Sequence, residues 1–305
     1  MKNSGKRFVV VIDIGSNSIK MSMARLNRKV KIVLEDKLPL RLLEKNEKKI
    51  GRKKIQQLTR CLSRFFKQTK KFDPLYRIFA TSAMRRSKNK KQIMAMIKKK
   101  WGVPVRIISG NTEAKYVLHA VESKFDLRRG KFCIVDIGGG SMELIQLSDG
   151  KVRWMKSIPF GSVVVKEKYC PEPVRNILDI GITVGRIEND IRKKIKKTME
   201  GVLILSGGTP STIARIFQTQ RRWPDIHGKV ILMKDLETLF SPLTQKPMTY
   251  WTTRYKINAH RRDILQACIT TVLALMRLID QDYFQLSRTG LRQGIIAEAF
   301  ARERD

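Results

Sequence analysis

Acidic, histidine, cysteine and aromatic residues are all sparse in this 305-residue chain, and each scarcity removes a class of chemistry. The three histidines, His119, His227 and His260, have no partner at the spacing of a nucleophile–base pair. A triad-type hydrolase therefore has no support, and structural roles fit them. The four cysteines, Cys61, Cys133, Cys170 and Cys268, form no C-x-x-C pair and have no histidine at ligand spacing, which argues against structural zinc. Cys133 and Cys268 lie in apolar runs and read as small buried hydrophobes. A reduced, cytoplasmic protein is expected. Aromatics make up only 7% of residues and are not interleaved with basic ones, which speaks against single-strand stacking. No uninterrupted apolar run approaches the ~20 residues of a spanning helix. The start, MKNSGKRFVVVIDIG, has a basic head but too short an apolar run for a signal peptide; it reads as a first strand. No low-complexity segment or linker stands out.

Charge is what the chain has in excess: 63 Lys and Arg against 27 Asp and Glu, formally +36. Such a chain draws polyanions, steeply weakened by salt. Inorganic polyphosphate, RNA, DNA and an anionic membrane surface all qualify, and so does a merely solvated lysine-rich surface. The basic runs (Lys45–Lys54, Lys67–Lys71, Arg85–Lys91, Lys98–Lys100 and Lys193–Lys197) are interleaved with apolar residues at helical spacing, so they are faces of folded helices.

The most informative stretch is FCIVDIGGGSMELIQL, Phe132 to Leu147: an apolar run, an aspartate, three glycines, a serine, then a glutamate in a second apolar run. Glycines bring backbone N–H groups close to a ligand, and flanking carboxylates suit a hard cation. The pattern occurs twice. In VVVIDIGSNSIKMSM (Val9–Met23), Asp13 falls on Asp136, Gly15 on Gly138 and Ser18 on Ser141. After the first loop Ile19, Met21 and Met23 alternate with Lys20 and Ser22 at strand period, and a strand-like run follows the second, whereas dinucleotide and Walker loops must open a helix, so neither reading applies. A third loop, Ser206-Gly207-Gly208, ends a strand and leads into a helix.

The order of elements follows the same logic. Three strands are expected over residues 8–35, then a helix from Ile50 to Phe66 and a strand at Tyr76–Thr81. A loop from Ser82 leads to a helix near Lys91–Lys100, followed by a strand at Val103–Ile108 and a helix at Asn111–Val121. Asp126–Lys131 reads as a crossing to a second lobe, with a hairpin turn at Asp149-Gly150. Gly161, Pro171 and Pro173 mark a connector into a basic helix near Asn176–Met199. Residues 218–260 have no clear pattern. Asp263–Asp280 is a strong helix, and Leu291–Arg302 a closing helix packed on the first lobe. The expected division is 1–125 with 293–305, and 126–292.

Two strand–Asp–Gly-loop–strand units and a strand–Gly-Gly–helix resemble the actin, Hsp70 and sugar-kinase fold. That resemblance implies an α/β, two-lobe, ribonuclease H-like architecture with the active site in the inter-lobe cleft. ATSAMRRSKN (Ala80–Asn89), IISGNTEA (Ile107–Ala114), DIGGGSME (Asp136–Glu143), SIPFGSVVVKEKY (Ser157–Tyr169) and RRDILQACITTVLALM (Arg261–Met276) narrow it. In that order they look like the exopolyphosphatase / guanosine pentaphosphate phosphohydrolase family, in its short two-domain form.

Phosphoanhydride hydrolysis needs positioned phosphates, charge neutralisation and an oriented water. Gly15, Ser16, Asn17 and Ser18, with Gly138, Gly139, Gly140 and Ser141, form the candidate phosphate cradle. Asp136 and Glu143, assisted by Asp13, are candidate ligands for Mg²⁺ or Mn²⁺, and the resemblance assigns metal binding to the first two. It also implies that Glu113 orients the attacking water and that Arg85 clamps a terminal phosphate. Thr112 stands where the family has a first glutamate, and Lys115 where it has an arginine. Lys20 holds the place in the first loop that Glu143 holds in the second. Gly207 and Gly208 match the nucleoside-side loop of the larger fold. The implied activity is release of terminal phosphate from polyphosphate or guanosine pentaphosphate, with a homodimer as the default assembly. An ATP-dependent phosphotransferase of the same fold and a non-catalytic polyanion-binding regulator are the alternatives.

Overall fold

The structure, a computed structural model, describes residues 8–27, 29–44, 47–172 and 176–302. The basic head before Phe8, Lys45 and Pro173 lie outside these residues.

β1 (Phe8–Ile14) is a β-branched run buried on both faces, as a strand with a packed layer on each side must be. A loop returns it antiparallel into β2 (Ser18–Leu26), and β3 (Val30–Pro39) completes a meander. α1 (Arg52–Thr69) lays Leu58, Leu62 and Phe65 against the sheet. β4 (Leu75–Ala80) then runs parallel to β1. Ser82, expected to open a loop, instead starts the short helix α2 (Ser82–Arg86), closed by the Arg85 amide on the Thr81 carbonyl at 2.9 Å. α3 (Lys90–Trp101), β5 (Val105–Ile107) and α4 (Gly110–Glu122) follow. The strand order is β3-β2-β1-β4-β5. Val10, Ile12 and Ile14 pack under α1 and α3, while Val9 and Val11 face the opposite layer.

The second sheet repeats the plan. β6 (Lys131–Ile137), β7 (Met142–Ser148) and β8 (Lys151–Ile158) form an antiparallel meander. The β7–β8 turn places Asp149 at φ 51° and Gly150 at φ 71°, the left-handed pair that an Asp-Gly hairpin turn requires. α5 (Ser162–Tyr169) occupies what reads in sequence as a connector; its Val163-Val164-Val165 run has low helix propensity and masks it. α6 (Ile177–Ile195) is capped by the Asn176 side chain on the Asp179 amide. β9 (Val202–Gly207) runs parallel to β6 and leads into α7 (Gly208–Gln220).

The unpatterned region contains β10 (Val230–Leu232), α8 (Met233–Glu237), α9 (Phe240–Gln245), α10 (Met248–Tyr255) and α11 (Ala259–Arg262). α12 (Leu265–Ile279) is apolar around nearly its whole circumference and forms the spine of this unit's core. β11 (Tyr283–Leu286) pairs with β9 and β10, giving the order β10-β11-β9-β6-β7-β8.

α13 (Leu291–Arg302) belongs to the first unit, where Ile295, Ile296 and Ala299 cover Val9 and Val11. Burying each isoleucine contributes about 1.5–3 kcal/mol. The two compact units are Met1–Ala120 with Leu291–Asp305, and Val121–Gly290. All four cysteines are free, and burial pushes the thiols of Cys133 and Cys268 up, Cys268 to about 11.

Two glycines give a stability test. A Cβ on Gly294 would lie 1.9 Å from the Tyr116 carbonyl oxygen, whereas one on Gly181 meets nothing within 4 Å. Gly294→Ala is expected to cost at least ~2 kcal/mol by overpacking. Gly181→Ala should instead stabilise by up to ~1 kcal/mol through helix propensity. Urea unfolding of the two variants checks both signs.

Candidate active site

Strand register sets the charges. β1–β2 pairing places Asp13 opposite Lys20, and β6–β7 pairing places Asp136 opposite Glu143. Directly opposed residues of an antiparallel pair share a face, with Cβ atoms about 4.5–5.5 Å apart. In the first unit the charges are opposite, and Lys20 Nζ lies 3.6 Å from Asp13 Oδ2. In the second they are alike. Glu143 is 2% exposed and Asp136 half-buried. Glu143 Oε1 accepts a hydrogen bond from Ser157 Oγ at 2.8 Å, and Ser157 is its cross-strand partner on β8.

Two facing carboxylates repel, which destabilises the pair unless a cation lies between them. Their hard oxygen donors suit Mg²⁺ or Mn²⁺. Among the described residues no group of three or more His, Cys, Asp and Glu forms a cage. A two-carboxylate set fits Mg²⁺, which keeps most of its waters. In the first unit, Asp13 Oδ1 is buried with no hydrogen-bond partner among the described residues. Leaving such an atom unmatched costs about 1–3 kcal/mol.

The two glycine loops are built alike. The Gly15 amide donates to the Ser18 carbonyl at 3.2 Å, and the Gly138 amide to the Ser141 carbonyl at 3.0 Å. Each loop is also held from behind. The carbonyls of Ser16 and Asn17 accept from the amides of Leu42 and Leu40, both at 3.3 Å. Those of Gly138 and Gly139 accept from Ser162 and Val163 at 3.0 and 2.9 Å. A trans peptide points its N–H opposite its C=O, and the described chain has no cis bond. The amides of Asn17, Ser18, Gly139 and Gly140 therefore face away from those supports. Gly161 makes the second support possible, because a Cβ there would fall 2.3 Å from the Gly139 carbonyl carbon.

The third loop abuts the second. Gly207 adopts φ +97°, and a Cβ on it would lie 2.2 Å from Asp136 Oδ1. Only glycine admits both that backbone and that approach. The Gly208 carbonyl accepts from Arg261 Nη1 at 2.5 Å, and the same nitrogen donates to Thr212 Oγ1 at 2.8 Å. Loss of solvent around this guanidinium pulls its pKa below the usual arginine range.

In the first unit, β1, β4 and β5 end at one edge of the sheet, and the first loop, α2 and α4 start there. The Thr81 amide donates to the Ile14 carbonyl at 3.3 Å, and the Ile108 amide to the Ala80 carbonyl at 3.1 Å. Glu113, in the first turn of α4, is 6% exposed. Its Oε2 accepts from Arg85 Nη1 at 2.7 Å, and that nitrogen also donates to the Ile108 carbonyl at 2.7 Å. Arg85, expected to hold substrate, thus also holds Glu113. Thr112 takes part in capping: its amide donates to Ser109 Oγ at 3.1 Å, and the two hydroxyl oxygens lie 2.8 Å apart.

The second unit thus gathers Asp136, Glu143, Gly138–Ser141, Gly207 and Gly208. The first gathers Asp13 and Lys20 with Gly15–Ser18, and Arg85 with Glu113. Ser157, Gly161 and Arg261 join these sets without having been assigned a role from sequence, although all three fall inside the quoted family stretches. His227 Nδ1 accepts the Arg288 amide at 3.4 Å, a structural role.

Comparison with known proteins identifies the family and the fold. The chain is 26% identical over 304 residues to a putative exopolyphosphatase of Haemophilus influenzae, covering 95% of this chain and 90% of the relative. It is 22% identical to exopolyphosphatase 1 of Mycobacterium leprae, over 97% of this chain and 90% of the relative. The crystal structure of an Aquifex aeolicus Ppx/GppA family member superposes with a TM-score of 0.79 at 26% identity, covering 98% and 99% of the two chains. A Cytophaga hutchinsonii exopolyphosphatase shares the fold, with a TM-score of 0.85 at 19% identity over 97% and 98% of the two chains. The two-lobe α/β fold of the actin-like class is therefore the fold of this chain. The family model for the Ppx/GppA phosphatases matches residues 10–303, and the chain belongs to that family.

Proposed function

We propose that this protein is an exopolyphosphatase, releasing the terminal phosphate of inorganic polyphosphate, with guanosine pentaphosphate as a second substrate of the same chemistry. The observation that carries the reading is the buried Glu113 carboxylate, gripped by Arg85 at 2.7 Å beside the carboxyl ends of the parallel strands. Hydrolysis needs one carboxylate held still against a water, with positioning and charge neutralisation of the phosphates.

Each side chain then has a task. Glu113 orients the water and takes its proton as the water attacks the terminal phosphorus. Arg85 fixes that carboxylate and faces the phosphate charge with its remaining donors. The outward amides of Asn17, Ser18, Gly139 and Gly140, with the hydroxyls of Ser18 and Ser141, hold phosphate oxygens. Lys20 adds a cation beside Asp13. Asp136 and Glu143 would hold Mg²⁺, which when bound neutralises phosphate charge. Ser157 keeps Glu143 turned toward Asp136. A phosphotransferase would need a second acceptor; Glu113 favours water.

Two experiments test this. Phosphate release with Mg²⁺ is measured on short polyphosphate, long polyphosphate, guanosine pentaphosphate and ATP. Glu113→Gln should lower kcat by roughly 10²–10⁴-fold while substrate binding persists. Release from ATP alone, or full activity in the variant, would overturn the reading. Second, removing the carboxylate repulsion in Glu143→Gln should raise Tm in chelator, while the stabilisation by added Mg²⁺ expected of the unsubstituted protein shrinks. An unchanged response to Mg²⁺ would remove Glu143 from the metal site.

A further inference from the structure

The positive charge is not spread evenly. Between Gly51 and Trp101 the chain has 17 Lys and Arg and a single acidic residue, Asp73. This segment contains α1 and α3, which lie side by side on one face of the first sheet, with Thr59 Oγ1 3.9 Å from Met96 Sδ. Their apolar residues face the sheet. Their outer faces are cationic in register: Lys53, Arg60 and Lys67 recur every seven residues on α1, and Lys91 and Lys98 do so on α3. A seven-residue step on one helix face is about 10.5 Å. All five are exposed, and among the described residues none has a carboxylate within ion-pair distance. Their neighbours Lys54 and Arg64 do, pairing with Glu44 and Asp36.

We propose that this outer face of α1 and α3 is a docking track for the distal part of a long linear polyphosphate, distinct from the loops that hold the reacting end. The proposal rests on the polyphosphate reading above. Three observations select this ligand. First, uncompensated cations repel one another, and a flexible polyanion relieves that along its length. Second, the face reads charge and nothing else. Phe66 is spent on Trp101, stacked at 5.4 Å, and on Tyr76 at 4.4 Å. The remaining ring, Phe72, packs on Phe8 at 5.3 Å under Lys71. Among the described residues no ring on α1 or α3 is exposed to stack bases, as single-stranded nucleic acid binding requires. Four of the five cations are lysines, compact point charges rather than planar forks for base edges. Third, the track begins at the catalytic pair. Lys90, the first residue of α3, donates its Nζ to the Arg85 carbonyl at 2.9 Å. A chain whose terminal phosphate meets Arg85 and Glu113 has the start of α3 next to it.

The test replaces the five cations with glutamine (Lys53→Gln, Arg60→Gln, Lys67→Gln, Lys91→Gln and Lys98→Gln) on a surface that carries no core packing. Circular dichroism confirms the fold. Long-chain polyphosphate should bind at least 10-fold more weakly. The slope of log K against log salt should flatten by ~3, near 0.7 per lost phosphate contact. KM for long chains should rise, while kcat and KM for a short chain stay unchanged. An unchanged affinity and salt slope for long chains would overturn the proposal. So would a single-stranded RNA of equal length that binds the unsubstituted protein more tightly than polyphosphate and is lost with the same five residues. If the unsubstituted protein hydrolyses neither chain, the catalytic reading fails, yet the binding comparison still decides the track.

Discussion

Everything at the candidate site depends on how the carbonyls of the two glycine loops are satisfied. A peptide cannot present its N–H to a ligand unless its C=O is accepted on the other side. In the first unit the residues just after β3 do this, through Leu40 and Leu42. In the second the start of α5 does it, through Ser162 and Val163. The third strand of each meander therefore also delivers the segment that holds its loop from behind. The meander, the register and the loop form one device, built twice.

Register gives the two copies different charges. The residue directly across from the aspartate is Lys20 in one and Glu143 in the other. In the first copy Lys20 offsets the charge of Asp13. The second sets two carboxylates, Asp136 and Glu143, directly across from each other. A one-residue slip in either hairpin would turn the partner to the opposite face and abolish this division. Gly207 and Ser157 flank the acidic pair from β9 and β8, one by leaving room for Asp136 and the other by fixing Glu143.

What could be read from residues alone follows from where the information lies. Asp13, Asp136 and their loops were legible because each motif is local and the duplication can be aligned by eye. β1, β6, β9 and α12 were legible because their apolar runs carry a clear period, whereas the four-residue β11, parallel to β9, was not. The short helices over 233–255 were not, since five to eight residues are too few to establish a period of 3.6. α5 was hidden by three consecutive valines. Gly161 and Arg261 matter because distant segments meet: one touches Gly139 from the next element, the other closes on Gly208 from 53 residues away. Composition cannot show such contacts. The grip of Arg85 on Glu113 is of the same kind, because the residues join only once α2 and α4 start at one sheet edge.

The distribution of charge completes this argument. Three of the carboxylates, Asp13, Glu113 and Glu143, are buried, and α1 and α3 carry none. In the first unit Arg85 stands against Glu113 and Lys20 against Asp13, so each of these carboxylates has a cation beside it. On the helices a polyanion meets unpaired lysines. A long phosphate chain is thus attracted broadly by one surface and admitted narrowly by another. Thr112 fits this economy: where the resembling family has a further glutamate, this chain has a hydroxyl engaged with Ser109. Glu113 therefore has no carboxylate as its neighbour in sequence.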